Sequence, residues 1–247
     1  MSGGVGSRRC ILRLIAAALL AAGLAPAAAS TFSLAPIRVN LSSTHRIGVV
    51  TLHNDGDAPV TVQIRACAWS QRRGEDRYVT AIDLITAPPM FVVAPHAEQI
   101  VRIALRREGQ SPLERAYRVF FEEVPEPGNG PVNGLRVYLR IGIPVFVAPA
   151  APHPGVLVWR ARALRPGTLA VSATNEGREH VQVINFDLRI GARSEPLAVA
   201  ASRYVLPGHT VTWQVPLPAG ARPRAPLRIN GLTDQGAITS NVPYSAS

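Results

Sequence analysis

Short apolar stretches that alternate with polar residues recur along most of the chain. Because successive side chains of a β-strand point to opposite faces of a sheet, this period of two predicts strands that are buried on one face. In the first half the pattern covers the segments 32–41, 47–53, 60–69, 78–85, 99–106, 115–124 and 135–147. Gly, Pro, Asn and Asp separate them, as in the turn at 54–57. Seven such strands suit one immunoglobulin-like β-sandwich.

A proline- and alanine-rich stretch at 148–155 interrupts this pattern, and a second set of shorter apolar segments comes after it. They lie at 156–164, 169–174, 181–190, 204, 211–215, 227–229 and 237–242. A break of this composition is typical of an exposed linker between domains. The sequence therefore predicts an all-β chain with an N-terminal immunoglobulin-like domain at 30–148, a linker at 149–155 and a small C-terminal β-sandwich domain at 156–247.

The first 29 residues have a different pattern. Arg8 and Arg9 form a basic start, an apolar run comes next at 14–24, and small residues at 27–29 precede Ser30. This order is that of a secretory signal peptide with its cleavage site. The apolar run is shorter than the roughly 20 residues that span a bilayer, and no later run is long enough. The sequence predicts an exported protein with a cleaved signal at 1–29 and no stable membrane insertion.

Every basic residue of the chain is an arginine. Removing the three arginines of the predicted signal from 26 leaves 23 against 16 acidic residues, a net charge of +7. Arginine favours planar, bidentate binding of carboxylates and phosphates. The arginines are spread through apolar segments without a dense cluster, and export separates the chain from nucleic acid. We therefore expect no nucleic-acid partner.

Catalytic and metal-binding patterns are missing from the sequence. The six histidines show no metal-ligand spacing, and neither a nucleophile elbow nor a phosphate-binding loop occurs. Glu122 and Glu123 are adjacent, so on a strand they point to opposite faces and cannot act as a carboxylate pair. Cys67, the one cysteine after the signal, is either a reactive thiol or, as its apolar neighbours favour, a buried one. The sequence predicts no enzyme activity, no metal and no cofactor.

The segment 135–147 carries an unusually long alternation. All its odd positions are aliphatic, beginning with Leu135, Val137, Leu139 and Ile141, and we call these four residues the ridge. At about 3.3 Å per residue the segment would present an apolar stripe roughly 40 Å long. Two interpretations are open. Either the stripe faces the core of its own domain, or it lies at a sheet edge where unpaired backbone groups can bind a foreign strand.

Several short segments, taken in order, resemble the periplasmic pilus-assembly chaperones of the PapD-like family. They lie at 34–39, 49–54, 87–89, 94–102, 114–118, 123–125 and 144–149. The ending Pro144-Val145-Phe146 is most similar to the divergent archaic branch that assembles Csu-type, spore-coat-U-like pili. The resemblance implies two immunoglobulin-like β-sandwich domains at an angle, a periplasmic location and a function in pilus assembly.

The resemblance also implies partners for the ridge. Its four side chains would enter the open groove of a pilus subunit while the backbone of their strand completes the sheet of that subunit. An outer-membrane usher would then receive the capped subunit. No cofactor is implied.

The resemblance further implies that Arg38 lies between the domains and binds the C-terminal carboxylate of the subunit. Taken without the resemblance, Arg38 is a surface charge on the first strand. The best-known family members have a second anchor, a lysine on the long strand, at the position of Pro144 here. Arg140 on the same strand and Arg102 on another strand are candidate replacements. Arg102 has an alternative role in an ion pair with Glu114.

Two other classes of function stay open. An exported immunoglobulin-like adhesin or carbohydrate-binding module would need exposed aromatic rings, yet Trp69, Trp159 and Trp213 all lie in apolar strand patterns that favour burial. A secreted enzyme would need a convergent catalytic set, and the sequence offers none.

Overall fold

The computed structural model describes residues 32–106, 111–125, 137–191, 196–218 and 227–245. These residues form eighteen β-strands and no α-helix, in agreement with the all-β prediction. The predicted signal at 1–29 and the ridge residue Leu135 lie outside the described residues. No described segment is a helix with the length and apolar character needed to cross a membrane.

The strands of the first half are β1 (Phe32–Ala35), β2 (Val39–Leu41), β3 (Ile47–Asn54), β4 (Val60–Arg72), β5 (Glu75–Thr80), β6 (Leu84–Ala87), β7 (Met90–Val93), β8 (Glu98–Leu105), β9 (Arg115–Glu123) and β10 (Arg140–Val147). They form two sheets, with the orders β1-β3-β8-β6 and β2-β10-β9-β4-β5, and β7 also pairs with β4. Alternate residues of both sheets point inward, so Val50, Val101 and Phe121 are fully buried. This is the sandwich predicted for the first half.

The first and the last predicted strands of this half need correction. The predicted strand 32–41 is divided into β1 and β2, which belong to different sheets. Pro36 lies between them and has no N–H group with which to continue a ladder. The predicted strand 135–147 begins only at Arg140. Its neighbour β9 ends at Glu123, so residues 137 and 138 lie beyond the end of the strand that would pair with them.

The strands of the second half are β11 (Leu157–Arg165), β12 (Thr168–Asn175), β13 (Val181–Ile190), β14 (Leu197–Val205), β15 (Thr210–Pro216), β16 (Leu227–Thr233), β17 (Gly236–Val242) and β18 (Tyr244–Ser245). They form sheets with the orders β15-β12-β11-β18 and β14-β13-β16-β17. Trp159, Phe186 and Trp213 pack together in this second core, with the two tryptophan rings stacked 5.6 Å apart. Because the third tryptophan, Trp69, is also only 5% exposed, no tryptophan offers its ring to a sugar.

The two halves meet through an apolar cluster and through hydrogen bonds. Trp69, Phe146 and Leu206 are buried against one another. The Gln71 side chain donates to the Tyr204 carbonyl at 2.8 Å and accepts from the Leu206 N–H at 3.0 Å. These contacts join the two sandwiches beside β10.

Candidate functional site

Arg38 lies in a cleft between the two sandwiches, in the short segment that joins β1 to β2. Its Nη1 donates a hydrogen bond of 2.8 Å to Oδ2 of Asp234, which lies between β16 and β17. The same nitrogen lies 3.2 Å from Nε2 of His180. Arg38 therefore contacts two residues of the second half, and its anchoring role stays a prediction.

His180 contacts both halves in this cleft. Its Nδ1 lies 2.7 Å from Oε2 of Glu114, its backbone N–H donates to the same oxygen at 2.8 Å, and its ring stacks on Phe146 with the centroids 3.5 Å apart. Neutral His180 donates from Nδ1 to Glu114 and accepts from Arg38 at Nε2. Protonated His180 directs its Nε2–H toward Asp234, whose Oδ2 is 3.4 Å away. We call Arg38, Glu114, His180 and Asp234 the clasp.

The clasp shifts the pKa values of His180 and Asp234 in opposite directions. Burial by itself lowers the pKa of His180, but hydrogen bonds to Asp234 and Glu114 outweigh burial and raise this pKa above 6.5. Burial by itself raises the pKa of Asp234, whereas hydrogen bonds from His180, the Gln182 backbone and Arg38 lower it to about 2. Asp234 is therefore an ionised carboxylate near neutral pH and is already bound to Arg38.

The cleft has a volume of about 340 Å³ and contains more acidic than basic side chains. Glu114, Glu179 and Asp234 line it, against Arg38 and His180. A carboxylate from another protein would be repelled by these acids unless it took over the contact with Arg38 that Asp234 makes. Arg38 is thus already paired with a carboxylate of its own chain.

Arg140 lies far from this cleft. It begins β10, and the six residues to Phe146 span roughly 20 Å at about 3.3 Å per residue. Its Nε lies 2.7 Å from Oε1 of Glu122, and its guanidinium lies 4.1 Å from the centre of the Phe120 ring. A role for Arg140 as a second anchor stays a prediction, although the strand places it at the opposite end from Arg38.

Arg102 lies within β8, opposite Val49 of β3, and its side chain is exposed. It does not line the cleft that contains Arg38. Among the described residues no ion pair joins Arg102 to Glu114, whose carboxylate binds His180 instead. An anchoring role for Arg102 stays a prediction.

Arg118 is a cation of β9 that sequence reasoning missed. It lies directly opposite Pro144 in the pairing of β9 with β10, and cross-strand neighbours share a face of the sheet. Its guanidinium lies 4.3 Å from the centre of the Trp69 ring. Burial raises the pKa of Tyr204, and the charges of Arg38 and Arg118 both oppose that rise. The two cations therefore act on the same hydroxyl, on the side of the sheet that faces the second sandwich.

β10 has an unpaired backbone edge over its first five residues. On one side it pairs with β9 along its whole length. On the other side β2 pairs with it only at Val145, Phe146 and Val147. Within the described part of the chain, no strand pairs with that side of residues 140–144.

The aliphatic stripe passes from exposed to buried along this segment. Val137 is 58% exposed, Leu139 and Ile141 are partly buried against the first core, and Ile143 is 2% exposed. The core-facing interpretation therefore holds for the later residues of the stripe, and the strand-binding interpretation stays a prediction for the earlier ones. Its later residues fill the core of their own sandwich, and its earlier residues stay accessible next to the unpaired edge.

The described residues contain no cluster of three or more His, Cys, Asp or Glu that could hold a metal ion. Cys67 is a free thiol that is only 4% exposed, as its apolar neighbours favoured. The side chain of Asn54 is used within its own turn, where Oδ1 accepts from the Gly56 N–H at 3.0 Å.

The described residues thus form two joined immunoglobulin-like sandwiches, the first of which has an open strand edge. Residues 31–153 match the family model described as pili and flagellar-assembly chaperone, PapD N-terminal domain. The chain belongs to this family of PapD-like pilus-assembly chaperones. Proteins of this family are chaperones and not enzymes, in line with the sequence prediction.

Solved structures of chaperones have the same two-domain fold. The chain matches one from the CsuC–CsuE chaperone–tip adhesion subunit complex of the archaic Csu pili of Acinetobacter baumannii, with a TM-score of 0.67, 20% identity and coverage of 87% and 100% of the two chains. The Escherichia coli chaperone DraB matches with a TM-score of 0.59 and 19% identity, and the match covers 86% of this chain and 96% of DraB. A chain of the Salmonella enterica complex of SafA pilin with the SafB chaperone matches with a TM-score of 0.60 and 17% identity. This match covers 86% of the present chain and 96% of the other. No curated protein matches the chain.

Proposed function

We propose that this chain is a periplasmic chaperone that binds, folds and caps pilus subunits by donor-strand complementation and delivers them to an outer-membrane usher. Two of the similar structures are complexes of a chaperone with a pilus subunit. The predicted signal at 1–29 supports export to the periplasm. In this proposal the first domain spans 30–148, the linker 149–155 and the second domain 156–247.

The unpaired edge of β10 is the observation that carries the proposal. Strand addition needs free backbone N–H and C=O groups together with alternate side chains that fit pockets in the partner. Residues 140–144 supply part of the first, since β2 pairs only with Val145, Phe146 and Val147. Pro144 has no N–H group, and the Gly142 carbonyl already accepts a hydrogen bond of 3.2 Å from Nη1 of Arg118. The ridge supplies the second, because Val137, Leu139 and Ile141 are exposed or only partly buried.

The ridge holds a subunit with moderate strength. Full burial of an aliphatic side chain contributes about 1.5–3 kcal/mol, so four of them would contribute on the order of 6–12 kcal/mol before ordering costs. Val137 would contribute most of the free energy of a full burial, because it is 58% exposed in the free chain. Leu139 and Ile141 gain less, since their own core already covers part of each. This total is compatible with release by exchange against the strand of another subunit, without ATP.

The test is capture of a small, β-rich pilus subunit co-expressed in the periplasm with the wild-type chain or with Val137→Ser. The matched control is Val79→Ser. Val79 is 67% exposed and lies in β5, at the opposite edge of the same sheet. We expect Val137→Ser to lower the amount of co-purified subunit several-fold and Val79→Ser to leave it unchanged. Equal capture by both variants would contradict strand donation from this segment.

Arg38 is the proposed anchor for the C-terminal carboxylate of the subunit, and Asp234 occupies it until a subunit arrives. Arg118, Arg140 and Arg102 are candidates for the second cation. The pairing of Arg118 with Pro144 supports Arg118, because a cation at residue 144 would lie on the same face. Neither Arg140 nor Arg102 has a contact that supports the role equally well.

Alanine variants of the four arginines, each tested against an intact subunit and a subunit extended past its natural C-terminus, separate anchors from bystanders. Loss of an anchor should weaken capture of the intact subunit about tenfold, the effect of one charge-assisted hydrogen bond. It should have no effect on the extended subunit, whose carboxylate is displaced. An arginine whose replacement affects both subunits equally, or neither, is not an anchor.

Asp234→Asn tests the exchange between the two carboxylates. If Asp234 competes with the subunit for Arg38, this variant captures at least as much subunit as the wild type. If capture falls to the level of Arg38→Ala, Asp234 positions Arg38 instead, and the exchange model is wrong.

A further inference from the structure

A second cleft, of about 420 Å³, lies away from both the clasp and the ridge. It is formed where the tip of the β4–β5 hairpin meets the sheet that contains β11, β12 and β15. A Cβ atom at Gly74, in the hairpin tip, would lie 3.7 Å from the Thr212 nitrogen of β15, so the tip rests close to that strand. Elements of both sandwiches are therefore needed to form the cleft.

Three arginines from three separate elements line this cleft. Arg73 comes from the hairpin tip, Arg162 from β11 and Arg203 from β14. Ala170 of β12 is 3% exposed and has an apolar side chain. Leu164 is a further apolar lining residue, whereas the side chains of Thr212 and Gln214 add neutral hydrogen-bonding groups. The cleft thus combines guanidinium groups with apolar and neutral polar surface.

The guanidinium groups of this cleft have donors to spare. Arg203 donates through Nη2 to the Gly74 carbonyl, which holds its side chain in place and leaves most of its five N–H donors free. No carboxylate among the described residues lies within 4.0 Å of the guanidinium nitrogens of Arg73, Arg162 or Arg203. The single acidic lining residue, Glu75, pairs with Arg77 at 3.0 Å.

The hairpin tip itself has an unusual residue at its turn. Arg73 and Gly74 have φ angles of 54° and 78°, which correspond to the left-handed region at both turn positions. Asn-Gly is favoured in such two-residue turns, and an arginine there gains nothing in backbone conformation. Arg73 therefore contributes its guanidinium group to the cleft and no conformational advantage to the turn.

We propose that this cleft binds a phosphate group. Three guanidinium groups and one carboxylate give a formal charge of +2, which a phosphomonoester with a charge of about −2 balances and a single carboxylate does not. Arginine forks match the geometry of phosphate oxygens in bidentate pairs. A free phosphomonoester and the phosphomonoester headgroup of phosphatidic acid share this chemistry. The site stands on its own residues and does not depend on the capture of subunits.

The test is calorimetric titration of the purified protein with inorganic phosphate, at constant ionic strength maintained with chloride. Arg162→Gln removes one guanidinium from the cleft. Arg160→Gln is the matched control. Arg160 lies two residues before Arg162 on the same face of β11 and does not line the cleft. We expect saturable binding by the wild type, about tenfold weaker binding by Arg162→Gln and less than about twofold change in Arg160→Gln.

Flotation with vesicles that contain anionic phosphatidic acid, a phosphomonoester, or only neutral phosphatidylcholine distinguishes the two sources. Binding of phosphate without capture on vesicles indicates a soluble phosphomonoester, and capture on anionic vesicles that requires Arg162 indicates a headgroup. Two outcomes overturn the proposal. One is the absence of binding in both assays, and the other is an equal loss in Arg160→Gln and Arg162→Gln, which would indicate only general attraction to a basic surface.

Discussion

Asn54 and Asn175 end strands in the two sandwiches and form two corners of the same design. Each side chain is almost completely buried, at 1% and 0% exposure. In each corner Oδ1 accepts from the N–H of the glycine two residues later, at 3.0 Å and 2.9 Å. In each, Nδ2 donates to the carbonyl four residues later, at 2.8 Å. The sequences Asn-Asp-Gly at 54–56 and Asn-Glu-Gly at 175–177 carry the same turn chemistry.

The two corners differ in the contacts of the loop after the asparagine. The loop after Asn54 faces solvent, where Asp57 pairs with His96 and both side chains are exposed. The loop after Asn175 crosses to the other half: the Arg178 carbonyl accepts from the Glu114 N–H at 2.9 Å. His180 then joins Glu114 in the clasp. One local design therefore closes a sandwich in both places, and only the second corner also sets how the two sandwiches meet.

The largest expected effect comes from removing either corner side chain. Asn54→Ala and Asn175→Ala each remove hydrogen bonds to four backbone groups that are buried or partly buried, so we expect each to destabilise the protein by about 3–5 kcal/mol. Denaturant unfolding measures this loss. Amide hydrogen exchange at Glu114 separates the corners, because its N–H bonds across the halves. Exchange of the Glu114 amide should be faster in Asn175→Ala than in the wild type under conditions where the protein stays folded, and it should be unchanged in Asn54→Ala. Equal acceleration in both variants would show that the two corners do not differ in this respect.

Gly177→Ala should have the next largest effect. A Cβ atom at this position would lie 2.3 Å from the Pro154 carbonyl oxygen, 2.6 Å from the Gly155 Cα and 2.8 Å from the Val156 nitrogen. Because all three are backbone atoms of the linker region, we expect a destabilisation of about 2–3 kcal/mol. Gly167→Ala is the control: nothing lies within 4 Å of its Cβ, and only its φ of 75° opposes the change. It should cost about 1 kcal/mol, and a larger loss there than at Gly177 would contradict the steric explanation.

These corners also mark how far the sequence predicts the structure. Alternation predicted the bounds of β13, 181–190, as observed, and turn chemistry predicted the loop after Asn54 but was not applied to the loop after Asn175. Arg38 was expected between the domains from the resemblance. Arg140 is a candidate anchor because it is an even number of residues from Pro144, so the two side chains lie on the same face of the strand. This spacing determines the face but not the distance along the strand. Side-chain period therefore predicts orientation well and position poorly.

The clasp was not predictable from the sequence. His180 contacts Arg38, 142 positions away, and Glu114, 66 positions away, and no local pattern relates them. Arg118 was missed for the same reason, because only the pairing of β9 with β10 shows that it faces Pro144. Contacts between distant segments arise from strand pairing within a sandwich and from the docking of the two sandwiches, and short sequence patterns encode neither.

A double-mutant cycle with Glu114→Gln and His180→Gln measures the contribution of the second corner to the docking of the halves. Both side chains are nearly buried, at 7% and 10% exposure, so we expect a coupling free energy of about 1–2 kcal/mol at pH 6. Thermal unfolding of the wild type, the two single variants and the double variant measures this coupling free energy. Additive single effects would show that the pair does not connect the halves energetically.

The same coupling should depend on pH. Folding raises the pKa of His180, so its protonation stabilises the native state fully below pH 6.5, and this contribution is lost as the pH rises through the raised value. Folding lowers the pKa of Asp234 to about 2, so its contribution is complete above pH 3.8 and is lost as the pH falls toward 2. The clasp is strongest between these limits. Melting temperatures should decline toward alkaline pH more in the wild type than in His180→Gln, which retains every other histidine, and parallel declines would contradict the assignment.

Asp57→Asn should have the smallest effect and completes the comparison. Asp57 lies 3.1 Å from His96, but its side chain is 99% exposed, so solvent screens the pair. We expect an unchanged melting temperature and unchanged subunit capture, in contrast to Glu114→Gln at the second corner. A loss of melting temperature comparable to that of Glu114→Gln would contradict this contrast between the two corners.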